Sequence, residues 1–259
     1  MGSRDVDPVL FLHMATPFLT ASWQNLLMAN YAVDPSLLQP HLPAHTELDS
    51  FDGVHYASLV GFLFSGTRVA GIPIPFHKTF EEVNLRFYVR SKQDHSWKRG
   101  VVFVKEIVPR HMITLVANTL YGENYATHAM RHRWEQDADT LHVSYEWKVG
   151  DRWNFLRADA EPTAQPVAEG SIEEFITEHY WGYTTVNKDC TGTYEVSHPR
   201  WKAHRVSKFE CSCSVEALYG AAFAEPLRGE PASVFLAEGS AVKVMKGTRI
   251  YSPAKPMAV

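Results

Sequence analysis

Residues 80–90 read FEEVNLRFYVR. Numbered along the chain, Val83, Leu85, Phe87 and Val89 fall on odd positions, after Glu81, and Glu82, Asn84, Arg86, Tyr88 and Arg90 on even ones. Successive side chains of a β-strand point to opposite faces, so the segment predicts one apolar and one polar face. Neighbouring even positions lie about 6.6–7 Å apart. Arginine can hold a carboxylate, asparagine a carbonyl or hydroxyl, and glutamate can act as acid or base, so Glu82, Asn84 and Arg86 together suit one small polar molecule. The same alternation also describes the solvated face of an antiparallel strand. Periodicity alone leaves both readings open.

The rest of the chain says what kind of protein surrounds this strand. It has 259 residues, 45% hydrophobic and 21% charged, with a net charge of −4. That is the composition of an ordinary globular protein with a sizeable core, with no linker or repeat, and it reads as a single domain over residues 1–259. Basic residues do not cluster, so no nucleic-acid partner is expected. No run approaches 18 apolar residues, and no charged segment precedes an apolar one at the N-terminus; neither a membrane span nor a signal peptide is expected. Three cysteines, Cys190, Cys211 and Cys213, cannot all pair within the chain, which points to a reducing, cytoplasmic setting.

Strand patterns dominate. They include 20–33, the two runs flanking Asp52-Gly53, 80–89, 99–108, 126–135 and 140–149, where Leu141, Val143, Tyr145, Trp147 and Val149 alternate with polar residues. Asp52-Gly53 and Glu238-Gly239 read as hairpin turns, and 159–170, with two prolines, as a surface loop. Three short helices are predicted: one after Asp34-Pro35, one opened by the capping box Ser171-x-x-Glu174, and one over 214–223; a fourth is indicated over 114–122. The balance predicts a β-rich α+β fold, an antiparallel barrel or sandwich plugged by short helices.

Familiar catalytic signatures are absent: there is no phosphate loop, no Gly-x-Ser-x-Gly elbow and no His-Glu-x-x-His. His128 and His132 would lie about 13 Å apart on a strand, too far to share an ion, so no metal site is assigned and no cofactor is expected. Cys211 and Cys213 read as ordinary buried cysteines. Lys105 shares its face with Val101, Phe103 and Ile107, while Glu106 falls among Val102, Val104 and Val108. Both faces turn polar together, which reads as a strand end.

Several stretches resemble a bacterial group of unassigned activity, the YqjF-like proteins of the acetoacetate decarboxylase-like superfamily. They are NYAVDPSLLQPHLP (30–43), LDSFDGVHYASLVGFLF (48–64), FEEVNLRFYV (80–89), LYGENYATHAM (120–130), EHYWGYT (178–184) and VSHPRW (196–201). The resemblance implies an acetoacetate decarboxylase-like antiparallel β barrel with an internal cavity and a few short flanking helices. It implies that the polar stripe lines that cavity, with Glu82 as its acidic residue. The decarboxylases form a Schiff base through a lysine in a Gly-x-Pro-Lys-Lys segment. Here Tyr125 and Ala126 stand in the places of the two lysines, so imine chemistry and acetoacetate decarboxylation are not expected to carry over.

The site expected is therefore Glu82 as general acid or base, Tyr125 as proton or hydrogen-bond donor and His128 as an assistant, with Asn84, Arg86 and Tyr88 binding substrate. The partner expected is a small carboxylate or carbonyl compound, and self-association into a homo-oligomer is left open. Two alternatives stand beside the enzyme: a non-catalytic barrel that binds a metabolite, and a solvent-facing stripe without a pocket.

Overall fold

The computed structural model describes residues 16–73, 79–93, 95–109 and 124–251. In chain order its elements are β1 (Leu19–Val33), helix α1 (Pro35–Leu38), β2 (Glu47–Leu48), β3 (His55–Val69), β4 (Ile72–Pro73), β5 (Phe80–Gln93) and β6 (Ser96–Val108). There follow β7 (Tyr125–Thr127), β8 (Met130–Gln136), β9 (Leu141–Val149), β10 (Arg152–Ala160), β11 (Gln165–Pro166) and helix α2 (Ile172–Thr177). The last are β12 (Trp181–Asn187), β13 (Cys190–Ser197), β14 (Lys202–Ser212), helix α3 (Val215–Tyr219), β15 (Ser233–Val244) and β16 (Thr248–Tyr251). The β-rich fold with few short helices is the one expected. The helix indicated over 114–122 lies outside the described residues.

The sheet is ring-like. Hydrogen-bonded neighbours run β13, β12, β6, β5, β3, β1 and β15, and Val196 of β13 pairs with Val244 of β15 to close the circuit. All neighbours in the ring are antiparallel except β6 and β12, which run parallel through Trp181 and Gly100. From β15 the sheet continues through β14, β10 and β9 to β8.

The two faces of β5 therefore meet two different cores. Its odd residues Val83, Leu85, Phe87 and Val89 pack outward with Leu27, Leu59, Tyr145, Trp147 and Leu156, so the β8–β10 layer covers that side. The alternation in β9 seen in sequence is what supplies Val143, Tyr145 and Trp147 to it. Gly61 of β3 lies under the Tyr145 ring, where a Cβ would come within 2.9 Å of Cδ2. The even residues Phe80, Glu82, Asn84 and Arg86 face the inside of the ring, beside Phe62, Phe64 and Trp201, whereas Arg90 further along pairs with Glu47 and is partly exposed. Both faces being buried, the solvent-facing reading of the polar stripe is overturned.

The helix caps behave as local chemistry requires. Asp34 accepts from Ser36 N at 2.8 Å with Pro35 opening α1, and Ser171 accepts from Glu174 N at 3.2 Å to start α2. Asp52 and Gly53 both take positive φ (49° and 80°), the tight turn expected there.

Four expectations change. Cys211 and Cys213, expected to be buried, are exposed and half-buried respectively, on and just past the end of β14. Glu238-Gly239 does not turn the chain: β15 runs through it, and Gly239 at φ 78° lies flat against Trp23 and Gln24 of β1, where a Cβ would collide with the Trp23 carbonyl. The 126–135 strand is two, β7 and β8, broken at His128-Ala129. Lys105-Glu106 is not a strand end, because β6 continues to Val108.

Candidate functional site

Two β-bulges decide which side chains face the inside. Between β5 and β6, Leu85 pairs with Lys105 but Arg86 pairs with Phe103, leaving Val104 as the extra residue. A bulge reverses the alternation beyond it. Val101 and Phe103 face inward before it, and Glu106 faces inward after it, opposite Asn84. Lys105 consequently shares the outward side with Leu85 and does not line the interior. The Val104 carbonyl is taken up by Asn124 Nδ2 at 2.8 Å. The second bulge, at Asn25 (φ 49°), shifts β1 against β3 between Gln24 and Leu27, so that Trp23 and then Leu26 point inward.

Inside the ring is a cavity of about 180 Å³. One wall is polar: Glu82, Asn84 and Arg86 from β5, Glu106 from β6 and Tyr125 from β7. Much of the rest is apolar, with Trp23, Phe62, Phe64, Phe80, Phe103 and Trp201 among its members. β7 reaches this wall because it pairs in parallel with the end of β6, setting Tyr125 beside Glu106.

Glu82 is 2% exposed and held at both oxygens. Asn84 Nδ2 donates to Oε1 at 2.8 Å and the Tyr125 hydroxyl donates to Oε2 at 3.2 Å. Burial pushes its carboxyl up to about 7, against the opposing pull of Asn84, Tyr125 and Arg86. Burial also lifts the Tyr125 phenol well above its ordinary value, and Glu106 and then Glu82 add to the rise. Tyr125 is thus a neutral hydrogen-bond donor across the whole physiological range. It touches both carboxyl groups, since Glu106 also makes hydrogen-bond contact with it.

Arg86 is 8% exposed and enters no ion pair among the described residues. Its Nη2 reaches Met28 Sδ at 3.9 Å, and its Nε has no hydrogen-bond partner there. Asn84 Oδ1 is likewise buried without one. A buried guanidinium with unused donors beside a cavity is an arrangement that an anionic ligand would satisfy.

Two of the six expected site residues lie elsewhere. Tyr88 is on the inward side of β5 but does not line the cavity; its hydroxyl bonds Ser58 Oγ at 2.6 Å and its ring packs on Phe175 and His179. His128 sits between β7 and β8 and donates from Nδ1 to the Lys148 carbonyl at 2.8 Å, away from the lining. In an extended segment three residues do not bring two side chains together, and the strand break turns His128 aside.

Sequence reasoning also missed residues. Glu106 is hidden by the bulge. His179 lines the cavity and approaches Asp49 Oδ2 with Nε2 at 3.3 Å, while Arg99 Nε binds the same oxygen at 2.6 Å. Burial lowers His179 to about 4, so it is a neutral imidazole. Burial would raise Asp49, but the bonds from His179 and Arg99 hold it well below the usual carboxylate range. No local pattern links positions 49, 99 and 179.

This ring, with a mainly apolar cavity polar on one wall, matches acetoacetate decarboxylase-like structures in fold. Acetoacetate decarboxylase from Legionella pneumophila matches with a TM-score of 0.60 at 14% identity, covering 96% of this chain and 98% of that one. An acetoacetate decarboxylase-like enzyme from Sphingomonas wittichii RW1 matches at 0.62 and 14% identity, over 92% and 95%. The enduracididine biosynthesis enzyme MppR, complexed with pyruvate, matches at 0.61 and 13% identity, over 91% of each chain. Within that fold, the chain belongs to the DUF2071 family of uncharacterized conserved proteins, whose model matches residues 20–241. The uncharacterized protein YqjF of Bacillus subtilis (strain 168) is 29% identical over 167 residues, 63% of this chain and 66% of that protein, just under two thirds of the relative's length. Among the described residues no helix is long and apolar enough to cross a membrane.

Proposed function

We propose that this protein is an enzyme that moves a proton at a carbon next to a carbonyl group in a small carboxylate compound, without imine chemistry. Arg86 carries the reading: a buried cation beside the cavity with donors left over for a carboxylate. Glu82 supplies the proton transfer. A carboxyl poised near 7 has both forms present at neutral pH, so it can take a proton from carbon and return it to oxygen or carbon. In a keto-to-enol step Glu82 takes the proton as the C–H bond breaks. That bond's electron pair forms the C=C bond, the C=O π pair moves onto oxygen, and the proton carried by Glu82 then completes the O–H bond.

Asn84 and Tyr125 orient the Glu82 carboxylate, and Arg86 balances the negative charge that develops on oxygen. Tyr125 stays protonated and stabilises by hydrogen bonding. Among the described residues that line the cavity there is no lysine. That MppR, a protein of the same fold, has been seen with pyruvate supports a 2-oxo acid as the substrate type, by analogy of fold alone.

The test is exchange at carbon. A panel of 2-oxo acids is incubated with the protein in deuterated buffer at neutral pH, and loss of the C3 proton signal is followed by NMR. The wild type should accelerate exchange and Glu82→Gln should lose at least 100-fold of that rate while staying folded. Equal rates with the two proteins, or no acceleration by the wild type, would reject the reading.

A further inference from the structure

The walls of the cavity are ordered along the strands. On β5 the inward residues run Arg86, Asn84, Glu82, Phe80, and their partners on β3 are Ser58, Val60, Phe62 and Phe64. Trp23 of β1 lies opposite Phe64. Passing from Arg86 toward Phe80, the wall therefore changes from cation, through the proton-transfer carboxyl, to aromatic rings. Those rings form one connected group: Phe64 stacks on Phe80 with centroids 4.7 Å apart, and Trp23 meets Phe62 at 5.4 Å, Phe64 at 5.8 Å and Trp201 at 6.2 Å.

Resting on the function proposed above, we infer that the substrate is a keto acid with a compact apolar substituent, branched aliphatic or aromatic. A carboxylate held by Arg86 and a carbonyl carbon beside Glu82 leave the third part of the molecule against Phe62, Phe64 and Phe80. A charged substituent there would lose water and meet no opposite charge among Phe62, Phe64 and Phe80. A methyl group alone would leave the aromatic end unfilled. The size agrees, since a cavity of about 150 Å³ is enough to take up benzene, and this one has about 180 Å³.

Binding measured by calorimetry separates this inference from the question of catalysis. The probes are pyruvate, 4-methyl-2-oxopentanoate, phenylpyruvate and the neutral 3-phenylpropan-1-ol, against the full chain and against Phe64→Ala and Arg86→Met. At least one of the two larger acids should bind tenfold or more tightly than pyruvate. Phe64→Ala should erase most of that advantage while leaving pyruvate within threefold. If Phe64→Ala does not fold, the wild-type ranking alone decides. Pyruvate binding as tightly as both larger acids, or none of the acids binding at millimolar concentration, overturns the inference. The neutral alcohol binding as tightly as phenylpyruvate, with Arg86→Met unchanged, removes the carboxylate anchor and the proposed function with it. Tight binding of the larger acids without any proton exchange leaves the substrate class standing and rejects only the catalysis.

Discussion

The Tyr125 hydroxyl donates to Oε2 of Glu82 at 3.2 Å, joining β7 to β5 across 43 positions of sequence. The bond ties together a carboxyl lifted by burial and a phenol lifted further, so the proton stays on Tyr125 while Glu82 titrates near neutrality.

That titration has a stability consequence. The Glu82 carboxyl is raised from an ordinary 4.5 to about 7, so the folded state holds its proton over a range where the unfolded chain has released it. The favourable contribution is complete below about 4.5 and disappears as pH rises through about 7. Glu82→Gln lacks this dependence. Unfolding free energies of variant and wild type, measured in urea at pH 5 and pH 8, should shift relative to one another by about 2–3 kcal/mol in favour of the variant at the higher pH. A pH-independent difference would show that Glu82 titrates as an ordinary glutamate.

Arg86 should cost stability in the ligand-free protein. A charge taken out of water without a close counterion carries a desolvation cost that an apolar side chain of similar length does not. Arg86→Met, next to Met28, is expected to raise the denaturation midpoint. A lowered midpoint would mean that the guanidinium is satisfied within the fold.

Gly61 is required by the ring above it. A Cβ there would approach Tyr145 Cδ2 at 2.9 Å, and the Tyr145 hydroxyl is fixed by its bond to the Asn25 carbonyl at 2.7 Å. Gly61→Ala should destabilise by about 1–3 kcal/mol, as overpacking does. Combining it with Tyr145→Leu should cost less than the sum of the two single changes, which a double-mutant cycle in urea would measure.

Asp49 holds Arg99 and His179 together. Asp49→Asn should cost about 1–2 kcal/mol at pH 7, a modest figure because the Arg99 side chain is 38% exposed and water screens it. The Asp49 carboxyl is depressed, so its contribution is present above the ordinary value of 3.8 and is lost as pH falls below it. The cost of the substitution should therefore shrink in strong acid, as thermal melts at pH 7 and pH 2 would show; a cost that stays constant would contradict the ion pair.

Local signals survived best. The two faces of β5 and β9, the Asp34 and Ser171 caps and the Asp52-Gly53 turn were legible because each depends on a few neighbouring residues: alternation, a side-chain oxygen near free backbone N–H groups, and a pair of positive φ angles. That Glu82, Asn84 and Arg86 share one face followed from the same alternation; that this face and Tyr125 belong to a cavity was implied only by the resemblance. His128 and Tyr88 do not line the cavity, since proximity in sequence says nothing of where a strand breaks or where the neighbouring helix packs.

By itself the sequence determined that β5 has an apolar and a polar side, and that the polar side carries an acid, an amide and a cation in order. Only the tertiary structure decided that this side looks inward, because burial on both faces requires the outer β8–β10 layer and the closure of β13 on β15. It also decided that Glu106 faces in and Lys105 out. Parity along a strand is a property of one chain segment, whereas a bulge such as Val104 exists only relative to the register of the partner strand, and pairing across the sheet is settled when the whole ring packs.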